Sequence, residues 1–276
     1  MPILAEGNIA KMHCQHASPV QYSLPVGDAL LPMNALIGSR VSLAFRQQIN
    51  CVACQRLTKK SFNQGYCYPC FKKLAQCDSC IVSPEKCHFH LGTCREPEWG
   101  EANCMIDHIV YLANSSGIKV GITRHSQVPT RWMDQGAVQA LPVLRVKSRY
   151  LSGLAEVVFK QHIADKTQWQ AMLKNHVDEI DMQQQKQRLL ADVADELQQL
   201  NAEHGLQAVQ VIDDADEYRF DYPVLEYPSK VSSLNLDKTP EVGGLLMGIK
   251  GQYLIFDTGV INLRKYTGYL LAVSQD

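Results

Sequence analysis

Long apolar runs are missing from this 276-residue chain, and no stretch is extended enough to cross a bilayer as a helix. The opening Met-Pro-Ile-Leu-Ala-Glu-Gly-Asn-Ile-Ala-Lys has no basic start, apolar centre or small-residue cleavage site, so a secretory leader is not expected and the protein is read as cytoplasmic, with no membrane partner. Net charge is nearly missing too, at −1, which rules out reading the whole chain as a polyanion-binding basic tail or a solvating acidic one. Cysteine is almost absent outside one segment: of ten, only Cys14 lies beyond residues 51–104. Cys14 stands between His13 and His16 with no further ligand nearby, so it is not counted as a metal site.

What is present is a block of nine thiols, Cys51, Cys54, Cys67, Cys70, Cys77, Cys80, Cys87, Cys94 and Cys104. It opens as Cys51-x2-Cys54, twelve residues, then Cys67-x2-Cys70. Two tight knuckles at that spacing can bring four thiolates to one tetrahedral ion, and zinc is the default occupant. In a reducing compartment clustered thiols point to metal rather than to disulfides. The remaining five thiols, with His88 and His90, exceed what a second four-coordinate site needs. The expectation is two zinc ions, the second held by four of Cys77, Cys80, Cys87, Cys94 and Cys104 with a histidine as substitute; an iron–sulfur cluster is the alternative there.

The near-zero net charge hides a swing. Residues 40–170 hold 17 Lys and Arg against 9 Asp and Glu, whereas residues 171–276 hold 9 against 17. A basic centre around metal knuckles suits a polyanion, and nucleic acid, DNA or RNA, is the expected partner. Lys59, Lys60, Lys72 and Lys73 lie among Phe62, Tyr66, Tyr68 and Phe71, a mixture suited either to phosphates and stacked bases or to a small packed core with solvated lysines.

Five segments follow from composition and periodicity. Residues 1–50 read as β structure with turns, and Val41-Ser42-Leu43-Ala44-Phe45 alternates like a half-buried strand. Residues 51–107 form the cysteine-rich module. Residues 108–170 hold a hairpin, with Ile109-Val110-Tyr111-Leu112-Ala113 turning at Asn114-Ser115-Ser116-Gly117 into Ile118-Lys119-Val120-Gly121-Ile122-Thr123; a helix with Arg131 and Trp132, a strand over Ala140–Val146 and a helix from about Leu154 to Ile163 follow. Residues 171–205 read as acidic and helical up to Gly205. Residues 206–276 return to strands, among them Ala208–Ile212, and Leu246-Met247-Gly248 loosely echoes Leu36-Ile37-Gly38. The fold class is therefore α+β: a zinc-knuckle module, an α/β module with a small antiparallel sheet, and a β-rich module that both termini build.

The third segment resembles the GIY-YIG endonuclease superfamily. Ile109-Val110-Tyr111 is similar to its first strand motif and Lys119-Val120-Gly121 to its second; Arg131 matches the arginine of its first helix and Glu156 its metal-binding glutamate. Lys166-Thr167-Gln168-Trp169 is similar to an ending seen in one branch of that superfamily. The cysteine block ahead of such a module also resembles a bacterial family of uncharacterised proteins. The superfamily resemblance implies Mg²⁺-dependent phosphodiester hydrolysis: Glu156 holding the ion, Tyr111 acting on the attacking water, Arg131 offsetting charge on phosphorus, Arg124 and Lys119 holding the phosphate. Lys119 stands where a second tyrosine is usual in the superfamily, a replacement that the similar branch also tolerates. That leaves open a non-catalytic nucleic-acid-binding or assembly protein on the same scaffold, and, from the surplus thiols, a redox protein. Each residue also has a local explanation: Tyr111 as a core aromatic, Glu156 at a helix start near Gly153, Arg131 paired with Asp134 one turn on. His108 and His162 read as structural. The sequence does not fix the oligomeric state.

Overall fold

A computed structural model describes residues 2–163 and 168–276. The first segment is all strand: β1 (Ile3–Asn8), β2 (His13–Gln15), β3 (Gln21–Val26), β4 (Ala29–Pro32), a 3-10 turn Met33–Leu36 and β5 (Arg40–Ile49). The cysteine-rich stretch carries little regular structure beyond α1 (Tyr68–Lys73), short 3-10 turns and α2 (Pro97–Cys104). The centre runs β6 (His108–Asn114), β7 (Ile118–Arg124), α3 (Thr130–Asp134), β8 (Gln139–Val146) and α4 (Arg149–Phe159). Helices α5 (Trp169–Leu173), α6 (Met182–Asp192) and α7 (Ala194–His204) and the short strands β9 (Val209–Val211) and β10 (Tyr218–Arg219) follow. The chain closes with β11 (Glu241–Lys250), β12 (Tyr253–Phe256), β13 (Gly259–Asn262), a 3-10 turn Leu263–Tyr266 and β14 (Tyr269–Gln275). All sheet pairings among these strands are antiparallel, and the class is α+β. No helix among the described residues is long and apolar enough to cross a membrane.

Both termini share one six-stranded sheet in the order β1-β14-β5-β11-β12-β13, beside a three-stranded sheet β2-β3-β4. This module is an internal duplication. Each half has a first strand, a tight hairpin, a 3-10 turn and a last strand, and the two last strands, β5 and β14, pair at the centre through Leu43↔Val273 and Ala44↔Ala272. Each half's first strand then crosses to the other's last strand: β1 lies on β14 and β11 on β5. The hydrogen bonds repeat with the symmetry. Ile9 N–H donates to Tyr269 O at 3.0 Å and accepts from Gly268 N–H at 2.8 Å; Leu246 N–H donates to Ser39 O at 2.9 Å and accepts from Gly38 N–H at 2.8 Å. The equivalence therefore joins Leu246 to Ile9 and Gly38 to Gly268, and the echo of Leu246-Met247-Gly248 with Leu36-Ile37-Gly38 is not structural. Strand β5 is central in its sheet, between β11 and β14: Val41, Ser42 and Leu43 are all covered, Ala44 and Phe45 partly so, and Arg40, Arg46 and Gln47 are exposed.

The central sheet has the order β10-β8-β6-β7, with β9 also on β8. So β9 and β10, which sequence grouped with the C-terminal strands, extend the middle sheet instead. All seven residues of β6 are buried, which is why it reads as an apolar run. Its alternation sorts two cores. Ile109, Tyr111 and Ala113 face a core continuous with the duplicated module, together with Trp132, Met133 and Phe220. Val110 and Leu112 face Leu151, Ala155 and Phe159 of α4 and the apolar sides of α6 and α7.

Helix α4 begins earlier than its periodicity predicts, capped by the Ser148 hydroxyl accepting from Leu151 N–H at 3.3 Å. Glu156 is therefore mid-helix, and a helix-start role for it falls. Gly153 lies inside the helix because the chain at Pro84–Glu85 crosses there; a Cβ on Gly153 would stand 2.3 Å from Glu85 N. The cysteine-rich stretch is thus packed directly on the helix that carries Glu156. Lys166 and Thr167 lie outside the described residues, as do Met1, Ala164 and Asp165.

Candidate active site and metal centre

The first four cysteines converge. The sulfurs of Cys51, Cys54, Cys67 and Cys70 all lie within 4.8 Å of one another, and Cys54 and Cys67 are 3.7 Å apart. Burial works to raise the Cys51 thiol, but the backbone N–H groups of Cys67, Cys54 and Ala53 outweigh it and bring it down to about 6. Cys70 goes the other way, up to about 12, through desolvation and its contacts with the other three thiols. Soft sulfur donors at this spacing could hold a metal ion.

The later thiols are arranged differently. Cys80, Cys87, Cys94 and Cys104 line one small enclosed cavity of about 10 Å³ with Asp78 and His88, whereas Cys77 does not line it and lies by Asn63 and Arg95. Asp78, Cys80 and His88 bring their ligand atoms within 4.8 Å of one another. Asp78 is engaged already, by Arg95 Nε at 2.6 Å and by the Ser79 N–H at 2.6 Å, and His88 Nδ1 lies 2.8 Å from the Thr93 hydroxyl. His90 lies tilted against the Tyr150 ring at 5.4 Å between centroids and does not line this cavity.

Tyr111, Lys119, Arg124, Arg131 and Glu156 all line a single pocket of about 680 Å³. Tyr111 stands directly across from Gly121 in the β6–β7 register. A Cβ on Gly121 would meet Tyr111 Cζ and Oη at 2.8 Å, so the glycine of Lys119-Val120-Gly121 is the space into which the ring fits. Trp132 backs the ring edge-on at 5.5 Å between centroids, and the hydroxyl donates to Gln135 Oε1 at 3.2 Å. Burial pushes the Tyr111 phenol up, Arg131 partly offsets it and Glu156 adds to it. Tyr111 is therefore both a core aromatic and a pocket wall, protonated at neutral pH. Glu156 is paired with Lys160 at 3.2 Å, its side chain 13 % exposed. Asp134 is held by Lys11 and by Gln252 at 2.9 Å, so it is not the partner of Arg131.

The pocket has walls that the sequence did not connect to it. Lys11 and Arg264 enter from opposite ends of the chain, on the duplicated module; Asn63, Gln64 and Tyr66 come from the first knuckle; Arg149 comes from the start of α4. Arg264 donates to Gln64 Oε1 at 2.6 Å. Arg149 donates to the carbonyl oxygens of Cys80 and Ile81, and Arg124 to Asn103 Oδ1. Six cationic side chains therefore surround two carboxylates, Asp134 and Glu156. Such a surface concentrates anions, and phosphate esters above all.

His108 is structural: Nδ1 lies 2.7 Å from Ile106 O, and burial brings its pKa down to about 4. His162 is exposed. Cys14 lies 3.5 Å from Asp134 Oδ1, and burial followed by that carboxylate pushes its thiol up to about 12.

Fold and site together define an α+β protein with antiparallel sheets, a four-cysteine cluster fit for a metal ion and a basic pocket holding a tyrosine and a glutamate. Over residues 38–271 the chain matches the family described as protein of unknown function (DUF2797), and it belongs to that family. No curated protein and no solved structure matches it.

Proposed function

We propose that the protein is a zinc-containing, Mg²⁺-dependent hydrolase of nucleic-acid phosphodiesters, related to the GIY-YIG superfamily and working in the reducing cytoplasm. The observation that carries this is the convergence of Tyr111, Lys119, Arg124, Arg131 and Glu156 on one cationic pocket, from two strands, a strand end, a short helix and a later helix. Tyr111, Lys119 and Arg124 share one hairpin, and Arg131 and Glu156 reach the same cavity from two separate helices. Zinc in the Cys51, Cys54, Cys67 and Cys70 cluster would fix the loop that brings Asn63, Gln64 and Tyr66 to the pocket, and a second ion belongs among the later thiols.

Mg²⁺ bound at Glu156 would supply Lewis-acid polarisation of a nonbridging oxygen and support for the leaving oxygen. The chain's own residues do the rest. Lys119 and Arg124 hold the phosphate, and Arg131 offsets the charge that grows on it as the water oxygen bonds to phosphorus and the bond to the leaving oxygen breaks. Tyr111, a phenol whose pKa is raised, orients the water by hydrogen bond while the water's proton passes to solvent and the leaving oxygen gains one. Purified protein incubated with single- and double-stranded DNA and RNA, in Mg²⁺ and in EDTA, tests this: cleavage in Mg²⁺ alone is expected, and its absence on every substrate removes the hydrolase reading.

A second reading, a nucleic-acid-binding or assembly protein without turnover, is favoured by Lys119. It stands where the superfamily usually has its second tyrosine, and it is only 6 % exposed. Salt-dependent binding of all four nucleic acids without cleavage is its signature.

A further inference from the structure

We infer that the first knuckle is a stacking platform for single-stranded nucleic acid, with Tyr68 as its outer ring, and that a strand lying on it enters the basic pocket past the turn at Asn63 and Gln64. The second half rests on the reading of that pocket as the place where a phosphodiester is held. Residues 51–77 hold five cations, Arg56, Lys59, Lys60, Lys72 and Lys73, and no carboxylate. All five are exposed, and among the described residues none pairs with an acidic side chain. A patch of one sign with no neutralising partner of its own draws a polyanion.

The rings beside these cations do not form a core. Helix α1 buries none of its residues; Phe62, Tyr66 and Phe71 are only partly covered, and Tyr68 is 56 % exposed. The rings are nonetheless ordered about Phe62. Phe71 is stacked on it at 5.7 Å between centroids, Tyr68 is tilted against it at 5.4 Å, and Lys60 Nζ lies 5.4 Å from its centroid. Tyr68, Phe71 and Lys72 fall on one face of α1, at i, i+3 and i+4. An open ring flanked by ammonium groups offers a nucleotide a face for the base and charge for the phosphate. Bases present their faces only when unpaired, because in a duplex they stack on one another and show the grooves only their edges. That selects a single strand over a duplex; an acidic peptide would match the lysines alone.

One short loop carries both the platform and a wall of the pocket. Phe62 and Tyr66 exchange backbone hydrogen bonds at 2.8 and 2.9 Å, closing a turn in which Asn63, Gln64 and Gly65 all have positive φ, at 43°, 63° and 129°. Asn63, Gln64 and Tyr66 line the pocket, and Gln64 is held there by Arg264. Phe62 directly precedes Asn63, and consecutive Cα atoms are about 3.8 Å apart. A base stacked on the platform and a phosphate in the pocket therefore belong to nearby nucleotides of one strand.

Fluorescence anisotropy with the intact chain, in chelator-free buffer without Mg²⁺, tests the platform without reference to cleavage. Labelled single-stranded DNA and RNA of about ten nucleotides are expected to bind at least about tenfold more tightly than the same sequence as a duplex. Tyr68→Ala is expected to weaken single-strand binding about tenfold, the loss of one stacked base, and Tyr68→Trp to retain it. Lys72→Gln combined with Lys73→Gln should flatten the log–log salt dependence by about 1.4. Equal binding of the duplex, wild-type affinity in Tyr68→Ala, an unchanged salt slope, or displacement of the strand by an acidic peptide of equal charge as readily as by unlabelled strand overturns the platform. Ultraviolet cross-linking of a 5-iodouracil-substituted strand to the wild type needs no variant. Attachment is expected at Phe62 or Tyr68 and, from other positions of the same strand, at Tyr66 in the pocket wall; none at Phe62 or Tyr68 overturns the platform, and none at Tyr66 breaks its link to the pocket. Tyr68-dependent binding in a protein that cuts nothing would leave the platform standing and the hydrolase reading refuted, whereas duplex cleavage undiminished by Tyr68→Ala would do the reverse.

Discussion

Gly121→Ala is the sharpest perturbation of the pocket, because the added methyl would sit 2.8 Å from both Cζ and Oη of Tyr111 and 3.1 Å from Cε2. Carbon–carbon contacts relax at about 3.5–4.0 Å, so the ring must retreat by most of an ångström. Trp132 stands behind it, edge-on at 5.5 Å, and is itself fully buried. The strain cannot be shed cheaply, and overpacking of this kind costs about 1–3 kcal/mol. Urea denaturation followed by fluorescence is expected to show a lower midpoint at unchanged slope. Tyr111→Phe alone is expected to cost only about 0.5–1.5 kcal/mol, the net worth of one hydrogen bond. Combined, the two changes should cost less than their sum by about 0.5–1 kcal/mol, since the methyl no longer meets the hydroxyl. Displacing the hydroxyl by most of an ångström should also lower any cleavage rate by about 10²-fold. A Gly121→Ala protein as stable as the wild type, or strict additivity with Tyr111→Phe, would refute the geometry at its base.

Other outcomes follow from buried charge. Lys250 is fully buried, its ammonium donating to Asn175 Oδ1 at 2.7 Å and lying over the rings of Tyr222 and Tyr227 at 5.3 and 5.4 Å. Burial brings its pKa down from 10.5 to about 7, so between those values the unfolded chain binds a proton that the folded one does not. Stability therefore rises with pH across that window and falls as pH drops to about 7; Lys250→Met should flatten the slope between pH 7 and 9 and leave the protein at least as stable at pH 6. Because six cations face two carboxylates in the pocket, calorimetry should find weak Mg²⁺ binding to the free protein, strengthened about tenfold or more by a phosphorothioate DNA that resists cleavage. Arg131→Ala should lower cleavage more than it lowers DNA binding, by about 10²-fold against less than tenfold, measured under single-turnover conditions.

How much of this was legible in sequence follows the range over which each feature is encoded. The Cys51–Cys70 cluster depends on two local turns, and its spacing alone predicts the convergence. Tyr111, Arg131 and Glu156 were recognisable by order along the chain, with Gly121 marking the ring's space. The duplication was not, because its halves share a pattern of strand, hairpin, 3-10 turn and strand but few identities, and the whole cysteine-rich and central region separates them. The signal that would have found it is the alignment of Leu24-Pro25-Val26, Leu36 and Gly38 with Leu254-Ile255-Phe256, Tyr266 and Gly268. Lys11 and Arg264 reach the pocket only through that duplicated sheet, so no neighbouring residue announces them. The early start of α4 was hidden because Gly153 reads as a helix breaker until Pro84 and Glu85 are seen lying against it. Likewise, the Ala208–Ile212 strand carries no mark of its sheet, and the two residues of β10 are too few to read; only pairing with β8 assigns β9 and β10 to the central sheet.

The account turns on a carboxylate that holds a divalent ion against a phosphate, and Glu156→Gln isolates that function because it keeps size and hydrogen bonding while removing the charge. Cleavage of labelled DNA and RNA in Mg²⁺ should disappear in this variant while nucleic-acid binding in EDTA, zinc content and folding stay as in the wild type. Cleavage that persists in Glu156→Gln would contradict the account.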